Sequence, residues 1–142
     1  MPASLQDALS KLVKSSVVVS RGNGFPEHGQ ASVSLMFTDG TRLQAEYWRL
    51  IEDGAASYSS FDHQQKYGLP APIDAVEELR SRLSGKTVMD AIHDDETGDL
   101  VFEFTGSTKL QILNVTGYEI WQLSFPSGAV EYSNYAKMMD DH

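Results

Sequence analysis

The apolar positions of the chain follow a helical period at two places. One stripe near the N-terminus predicts a helix over roughly residues 5–14. A second stripe predicts a helix over residues 75–83, where Asp74 and Glu77 have the spacing of a capping box and Gly85 is placed to end the helix. The stripes consist of Leu5, Ala8, Leu9 and Leu12 in the first helix, and Val76, Leu79 and Leu83 in the second.

After each helix the apolar residues alternate with polar ones, which is the period of a β-strand. Val33, Leu35 and Phe37 alternate in this way, and the dipeptide Asp39-Gly40 favours a tight hairpin turn into the strand that follows. Short turns of this kind join antiparallel strands. The second half of the chain predicts strands near residues 86–93, 100–105, 109–115, 118–125 and 129–132.

Two segments of the first half recur in the second. Phe37–Gln44 returns as Phe104–Gln111, with five of the eight positions identical. Glu46–Leu50 matches Glu119–Leu123 at a slightly larger offset in residue number, and each of these pentapeptides contains one of the two tryptophans. The apolar stripes of the two helices correspond at an intermediate offset, which aligns Leu5 with Val76. Such a repeat indicates that one structural unit is built twice.

These patterns predict an α+β fold, an internally duplicated helix plus antiparallel β-meander arranged as a single domain about a pseudo-two-fold axis. The first repeat covers about residues 4–53, an irregular bridge covers 54–72, and the second repeat covers about 73–133, all within one domain of residues 1–142. A single helix and meander of about 50 residues is too small to bury its apolar face well, so the two copies are expected to share a core.

The composition narrows the partners that this domain can have. The formal net charge is −9, so the surface disfavours nucleic acid and anionic membranes, and a basic protein is the expected partner. The chain contains no cysteine, which excludes disulfides and thiolate metal sites. It has no apolar run of the roughly 20 residues that span a membrane and no secretory signal at its start, which predicts a cytoplasmic protein.

Glu46 and Glu119 are the candidates for catalysis. Each lies two residues before a tryptophan on a predicted strand, so each carboxylate is expected on the same face as the indole. If the repeats meet about a two-fold axis, the two carboxylates approach each other beside aromatic rings, which can separate a general acid from a general base. The alternative is structural, with each Glu accepting a hydrogen bond. His63 beside Asp62 is a weaker acid–base candidate.

Other signatures of enzymes do not occur in the sequence. The histidines and acids lack the spacing of a metal site, and there is no nucleophile elbow, phosphate loop or dinucleotide fingerprint. Neither a metal nor a cofactor is therefore expected.

Two segments are candidates for binding another protein. The acidic turn, residues 94–99, is the densest negative cluster of the chain but lacks the ligand spacing of a calcium loop. The bridge concentrates aromatic residues, which often carry much of the binding energy of an interface. A solvated turn and a small satellite core are the structural alternatives. The candidate binding residues are Asp94, Asp95, Glu96 and Asp99 in the turn, and Tyr58, Phe61 and Tyr67 in the bridge.

About 35 residues of the second half carry a resemblance to a known group of proteins. They run from Thr97-Gly98-Asp99-Leu100 through Gly117-Tyr118-Glu119-x-Trp121-x-Leu123 to Pro126-x-Gly128. This stretch resembles small bacterial proteins, among them immunity proteins of polymorphic and contact-dependent toxin systems. The resemblance implies a cytosolic, non-enzymatic and often acidic protein that binds a toxic domain.

Three functional hypotheses follow from the sequence. The first is a non-enzymatic bacterial protein that binds another protein, as an immunity protein neutralising a toxin domain does. The second is a small-ligand-binding domain or hydrolase that uses Glu46 and Glu119 between the repeats. The third is a homodimer with a purely structural role.

Overall fold

The computed structural model describes residues 5–22, 31–114 and 120–133. In this part of the chain two five-stranded sheets combine with two helices, an α+β arrangement. Neither of these two helices has the length and apolar character needed to cross a membrane. The elements are α1 (Leu5–Ser10), β1 (Val17–Arg21), β2 (Val33–Phe37), β3 (Arg42–Ala45), β4 (Trp48–Glu52), β5 (Ala55–Ser59), a 3₁₀ turn (Ser60–Asp62), α2 (Ala75–Leu83), β6 (Val88–His93), β7 (Leu100–Phe104), β8 (Thr108–Ile112), β9 (Trp121–Ser124) and β10 (Val130–Tyr132).

Helix α2 has the bounds that the sequence predicts. The carboxylate of Asp74 caps its start by accepting a hydrogen bond from the amide of Glu77 at 3.1 Å. Gly85 follows its end with a φ of +76°, a left-handed conformation that favours glycine. The predicted apolar stripe is buried.

Helix α1 is shorter than predicted. It ends at Ser10 rather than near residue 14, because the amides of residues 11–13 bond to carbonyls three residues back instead of four. Lys14 then adopts a left-handed φ of 78°, and its amide bonds to the carbonyl of Val88 at 2.8 Å. The chain therefore leaves the helix to pair with the start of β6.

Every strand pair in the two sheets is antiparallel, as the short turns predict. The first sheet has the order β1-β2-β3-β9-β10 and the second has the order β5-β4-β8-β7-β6. Each sheet thus combines three strands from one half of the chain with two from the other. Residues 46–47 carry the chain from the first sheet to the second, and the connection between β8 and β9 carries it back.

One buried apolar cluster draws on both sheets and both helices. Phe37 of β2 and Phe102 of β7 meet across it, with ring centroids 5.4 Å apart. Helix α1 packs against β6 and helix α2 packs against β1. The side-chain amide of Gln6 bonds to the carbonyl of Ala91 at 2.8 Å and to the amide of His93 at 2.9 Å, so α1 also satisfies part of the β6 edge.

The two tryptophans are fully buried, and each ties one sheet to the other. The indole N–H of Trp48 in β4 donates to the carbonyl of Ala31, just before β2, at 2.7 Å. The indole N–H of Trp121 in β9 donates to the carbonyl of Gly98, just before β7, at 2.8 Å. Both bonds satisfy a donor that would otherwise be buried without a partner.

The segment predicted to be an irregular bridge contains a strand. Asp53 and Gly54 have φ values of 53° and 81°, the conformation of a tight hairpin turn, and β5 follows and pairs with β4. The sequence of β5, Ala-Ala-Ser-Tyr-Ser, has too few large apolar residues for the alternation test to find it. Asp53-Gly54 is the signal that identifies this hairpin.

Candidate functional site

The aromatic segment, defined here as residues 58–69, begins with a tightly bonded turn. The amide of Ser59 donates to a carboxylate oxygen of Asp62 at 2.8 Å, and the amide of Phe61 donates to the hydroxyl of Ser59 at 3.1 Å. This capping arrangement fixes the direction of the 3₁₀ turn. The ring of Phe61 stacks on Tyr47 with centroids 5.4 Å apart, yet the residue remains 59% exposed.

A closed loop follows the 3₁₀ turn. The amide of Gln64 donates to the carbonyl of Ile73 at 2.8 Å, and the amide of Ile73 donates to the carbonyl of Gln65 at 2.9 Å. These two bonds close the loop at its base. Its large apolar side chains, Tyr67 and Leu69, are 69% and 50% exposed.

Asp62 connects the turn to this loop. Its second carboxylate oxygen accepts a hydrogen bond from the hydroxyl of Tyr67 at 2.9 Å. This bond is the main reason that the pKa of Tyr67 is raised, with burial and the negative charge of Asp62 adding to it. Asp62 therefore positions Tyr67 while the face of its ring stays in solvent.

His63 has a structural partner rather than a catalytic one. Its Nδ1 accepts a hydrogen bond from the amide of Ala75, the first residue of α2, at 3.1 Å. The ring thus joins the aromatic segment to the helix. In the described part of the chain, no hydrogen bond joins His63 to Asp62. The carboxylate oxygens of Asp62 instead accept hydrogen bonds from Ser59 and Tyr67.

A cavity of about 280 Å³, the α2 pocket, opens beside the aromatic segment. Its wall is apolar on the side of β5 and the loop, and it carries carboxylates on the side of the first turn of α2. Of the binding residues predicted from the sequence, only Tyr58 lines this cavity. The lining residues are Tyr58, Leu69, Ala71, Pro72, Ile73, Asp74, Glu77 and Glu78.

Tyr58 also holds an arginine. The guanidinium carbon of Arg82 lies 4.6 Å from the centre of the Tyr58 ring. The same guanidinium pairs with Glu52 at 2.6 Å and lies 3.8 Å from Glu78. Tyr58 is half-buried, so it belongs to the edge of the core as well as to the pocket.

The acidic turn uses two of its four carboxylates internally. Asp94 accepts from the amides of Glu96 at 2.9 Å and Thr97 at 3.1 Å, and Asp99 accepts from the amide of Asn114 at 2.7 Å. The bond from the amide of Thr97, and then the bond from the amide of Glu96, lower the pKa of Asp94.

The other two acids of the turn, Asp95 and Glu96, point into solvent. The side chain of Asp95 is 99% exposed and lies 3.1 Å from Nδ1 of His93. Both acids are therefore accessible to a partner, whereas Asp94 and Asp99 serve the fold.

The structure places Glu46 differently from the sequence prediction. Glu46 lies in the link between β3 and β4, not within a strand, and its amide donates to the carbonyl of Ile120 at 3.2 Å. The alternation of faces along a strand therefore does not relate the carboxylate of Glu46 to the indole of Trp48. Glu119 lies outside the described residues, so the proposed pairing of the two glutamates stays a prediction.

Sequence reasoning missed the residues that build the α2 pocket. By sequence, Leu69, Pro72 and Ile73 belong to an irregular connection, and Glu77 and Glu78 form an ordinary acidic first turn of a helix. The leucine between glycine and proline is the available signal, since a large apolar residue in a polar loop needs an explanation. In the described ranges, no three His, Asp or Glu side chains are grouped so as to hold a metal ion.

Comparison with known proteins adds no assignment: no family model, no curated protein and no solved structure matches this chain.

Proposed function

We propose that this chain is a non-catalytic protein-binding protein and that the aromatic segment is its binding surface. One observation carries the proposal: Phe61, Tyr67 and Leu69 are 59%, 69% and 50% exposed and lie close together in the chain. Large apolar side chains scattered singly are normal on a surface, and we propose that these three, which lie within nine residues of chain, form one patch of the kind typical of an interaction site.

The way these side chains are held supports the same proposal. The capped turn, the bond from Tyr67 to Asp62 and the closed base of the loop all hold the rings in place before a partner arrives. Rings that are already ordered lose little conformational entropy on binding, so more of their burial is left as affinity. Aromatic residues in such positions are frequent interface hot spots.

The charge of the chain supports a basic protein as the partner. The whole chain has a net charge of −9. Between positions 58 and 78 the sequence has four acids and a single lysine, and Arg21, Arg80 and Arg82 pair with three of these acids. We further propose that the partner is a toxin domain, that the chain is its immunity protein and that both meet in the bacterial cytoplasm. The resemblance of residues 97–128 to immunity proteins is the reason for this narrower proposal.

Affinity capture with matched variants tests the binding surface. The full chain is immobilised as wild type, as Phe61→Ser/Tyr67→Ser and as Val18→Ser/Met89→Ser, and proteins captured from its own cells are identified. Val18 in β1 and Met89 in β6 are similarly exposed apolar residues, at 69% and 61%, and lie outside the aromatic segment. The expected result is a basic protein that wild type and the Val18/Met89 variant capture and the Phe61/Tyr67 variant does not.

Two outcomes would contradict the proposal. Equal capture by the Phe61/Tyr67 variant would move the binding surface elsewhere, with Asp95 and Glu96 as the next candidates. If a captured protein is toxic when expressed alone and co-expression of this chain leaves it toxic, the immunity function is wrong.

We also propose that the fold arose by internal duplication and has a pseudo-two-fold axis. Corresponding hydrogen bonds support this. The indole bonds of Trp48 and Trp121 end at Ala31 and Gly98, whose separation in the chain equals that between Phe37 and Phe104, the first residues of the sequence repeat. Each sheet also combines strands of the two halves in the same way.

Bonds at the crossings between halves follow the same correspondence. The amide of Leu113 donates to Tyr47 at 2.9 Å, and the amide of Glu46 donates to Ile120 at 3.2 Å. An isolated bridge pairs Ser16 with Thr87, at the starts of β1 and β6.

The second half expressed alone tests the duplication. Its β9 and β10 would lack the partner strand β3, and under pseudo-symmetry they can pair with β8 of a second copy instead. Residues 72–142 are therefore expected to sediment as a folded homodimer. A folded monomer would contradict the proposed equivalence of the halves.

A further inference from the structure

The α2 pocket combines an apolar wall with an acidic rim. Leu69, Pro72 and Ile73 form the wall with the ring of Tyr58, and the carboxylates belong to Asp74, Glu77 and Glu78. Among the described residues, no lysine, arginine or histidine lines the cavity itself, although Arg21, Arg80 and Arg82 approach its carboxylates from outside. An occupant that fits both parts has an apolar stem and a cationic head.

The geometry points to this pocket as the site for one arginine side chain of the protein partner. This inference rests on the proposed function, because the pocket shares Leu69 and Tyr58 with the aromatic segment. An anchor in the pocket and a contact on the exposed rings would therefore belong to one interface.

The volume limits what can enter. At about 280 Å³ the cavity lies just below the roughly 300 Å³ at which pockets for drug-sized ligands begin. It has room for a side chain of the partner, which the surrounding surface would hold in place. Arginine is also enriched among the residues that dominate interface energies.

The molecule already contains an arginine held by the same kinds of groups. The guanidinium of Arg82 stacks over Tyr58 at 4.6 Å and pairs with Glu52 at 2.6 Å. A planar guanidinium can stack on a ring and bond two acceptors at once, whereas an ammonium group is a compact, strongly hydrated point charge. Arginine therefore suits this wall and rim better than lysine does.

Glu78 is the carboxylate best placed to receive the incoming guanidinium. Glu77 pairs with Arg80 at 2.8 Å, and Asp74 accepts from both Arg21 and the amide of Glu77. The cation that Glu78 faces, on Arg82, is 3.8 Å away and lies closer to Glu52. Glu78 thus keeps more capacity for a new charged hydrogen bond than its neighbours do.

A titration with small probes tests the pocket without any partner. The full chain, labelled for amide NMR, is titrated with N-acetyl-arginine amide and with the neutral, isosteric N-acetyl-citrulline amide. The arginine probe should shift the amides of the residues other than proline in 69–78, with a dissociation constant on the order of 1 mM, as expected for one side chain. The citrulline probe should bind roughly fivefold more weakly or not at all.

Two matched variants test the role assigned to Glu78. Glu78→Gln should weaken the arginine probe about threefold, the size of one partly exposed charge pair. Glu96→Gln removes the same charge from an acid that does not line the pocket, and should leave binding unchanged.

Several results would overturn the inference. They are no shift in residues 69–78, equal binding of the two probes, and equal weakening by the two variants. Micromolar binding of the free arginine probe would assign the pocket to a small molecule instead. Because no partner enters this titration, its failure leaves the capture experiment unaffected, and a failed capture would not produce a negative titration.

Discussion

The acidic turn joins β6 to β7, and the aromatic segment leads from β5 towards α2; the sequence marks both as candidates for binding. In the turn, carboxylates satisfy backbone amides and the carbonyl of Gly98 holds the buried indole of Trp121. In the aromatic segment, Asp62 and His63 make the internal bonds, and large apolar side chains are left in solvent.

This difference separates two connections that the sequence marks equally as candidates for binding. A dense run of acids looks like a recognition surface, but a tight turn needs acceptors for its own amides, and Asp94 and Asp99 supply them. Phe61 stacks one ring face on Tyr47 but is still 59% exposed, and the ring of Tyr67 is 69% exposed. A mainly structural role for the acidic turn follows from these bonds, and the exposure of the aromatic segment supports the proposal that it is the binding surface.

The largest expected effect on stability is at Trp121, whose indole bonds to the acidic turn, and it tests the structural role of that turn. Trp121→Ala should lower the free energy of unfolding by about 3–5 kcal/mol, since it removes a fully buried ring and leaves the carbonyl of Gly98 without its donor. Denaturant unfolding measures the loss. A loss below about 1 kcal/mol would mean that Trp121 is not a core residue.

A smaller loss is expected at the backbone of the turn itself. Gly98 has a φ of +82°, and a Cβ there would lie 2.5 Å from Nδ2 of Asn114, so Gly98→Ala should cost roughly 1–3 kcal/mol. Gly128→Ala is the matched control, because its φ is +94° and no described atom lies within 4 Å of the added Cβ. Equal losses in the two variants would show that the approach to Asn114 does not matter.

The amide bonds of Asp94 predict a pH dependence. Because its pKa in the folded state is lowered, the ionised carboxylate stabilises the fold above the pKa of an unfolded Asp, about 4, and this contribution is lost as pH falls through the folded pKa. Asp94→Ala should therefore melt below wild type at pH 7, and the gap should close on acidification.

Asp95→Ala is the control for this measurement, since it removes an equal charge from a side chain that is 99% exposed. It should melt close to wild type at pH 7. A gap for Asp94→Ala that persists unchanged at acid pH would contradict the electrostatic explanation.

The sequence predicts those parts of the fold whose signals are local. Asp74 and Gly85 mark the ends of α2, and the alternation of Val33, Leu35 and Phe37 predicts the strand β2. The mixing of strands between halves could not be predicted, because nothing local distinguishes a link of two residues that changes sheet, at 46–47, from an ordinary hairpin.

The candidate site was predictable only in part, for a related reason. Aromatic composition identifies Phe61 and Tyr67, but their exposure depends on Asp62 and on the bonds that close the loop. The α2 pocket forms where Leu69 of the loop and Glu78 of α2 line the same cavity. Two separate elements that come together in this way leave no periodic pattern in the sequence.

The smallest effect on stability is expected where we place the binding surface. Phe61→Ser/Leu69→Ser removes two side chains of which at least half is exposed, so the free energy of unfolding should fall by less than about 1 kcal/mol. The stack of Phe61 on Tyr47 is the main interaction that the substitutions remove. Denaturant unfolding of this variant and of Trp121→Ala under the same conditions compares the two losses of stability. A loss as large as that of Trp121→Ala would place these residues in a satellite core, and the aromatic segment would then have the same structural role as the acidic turn.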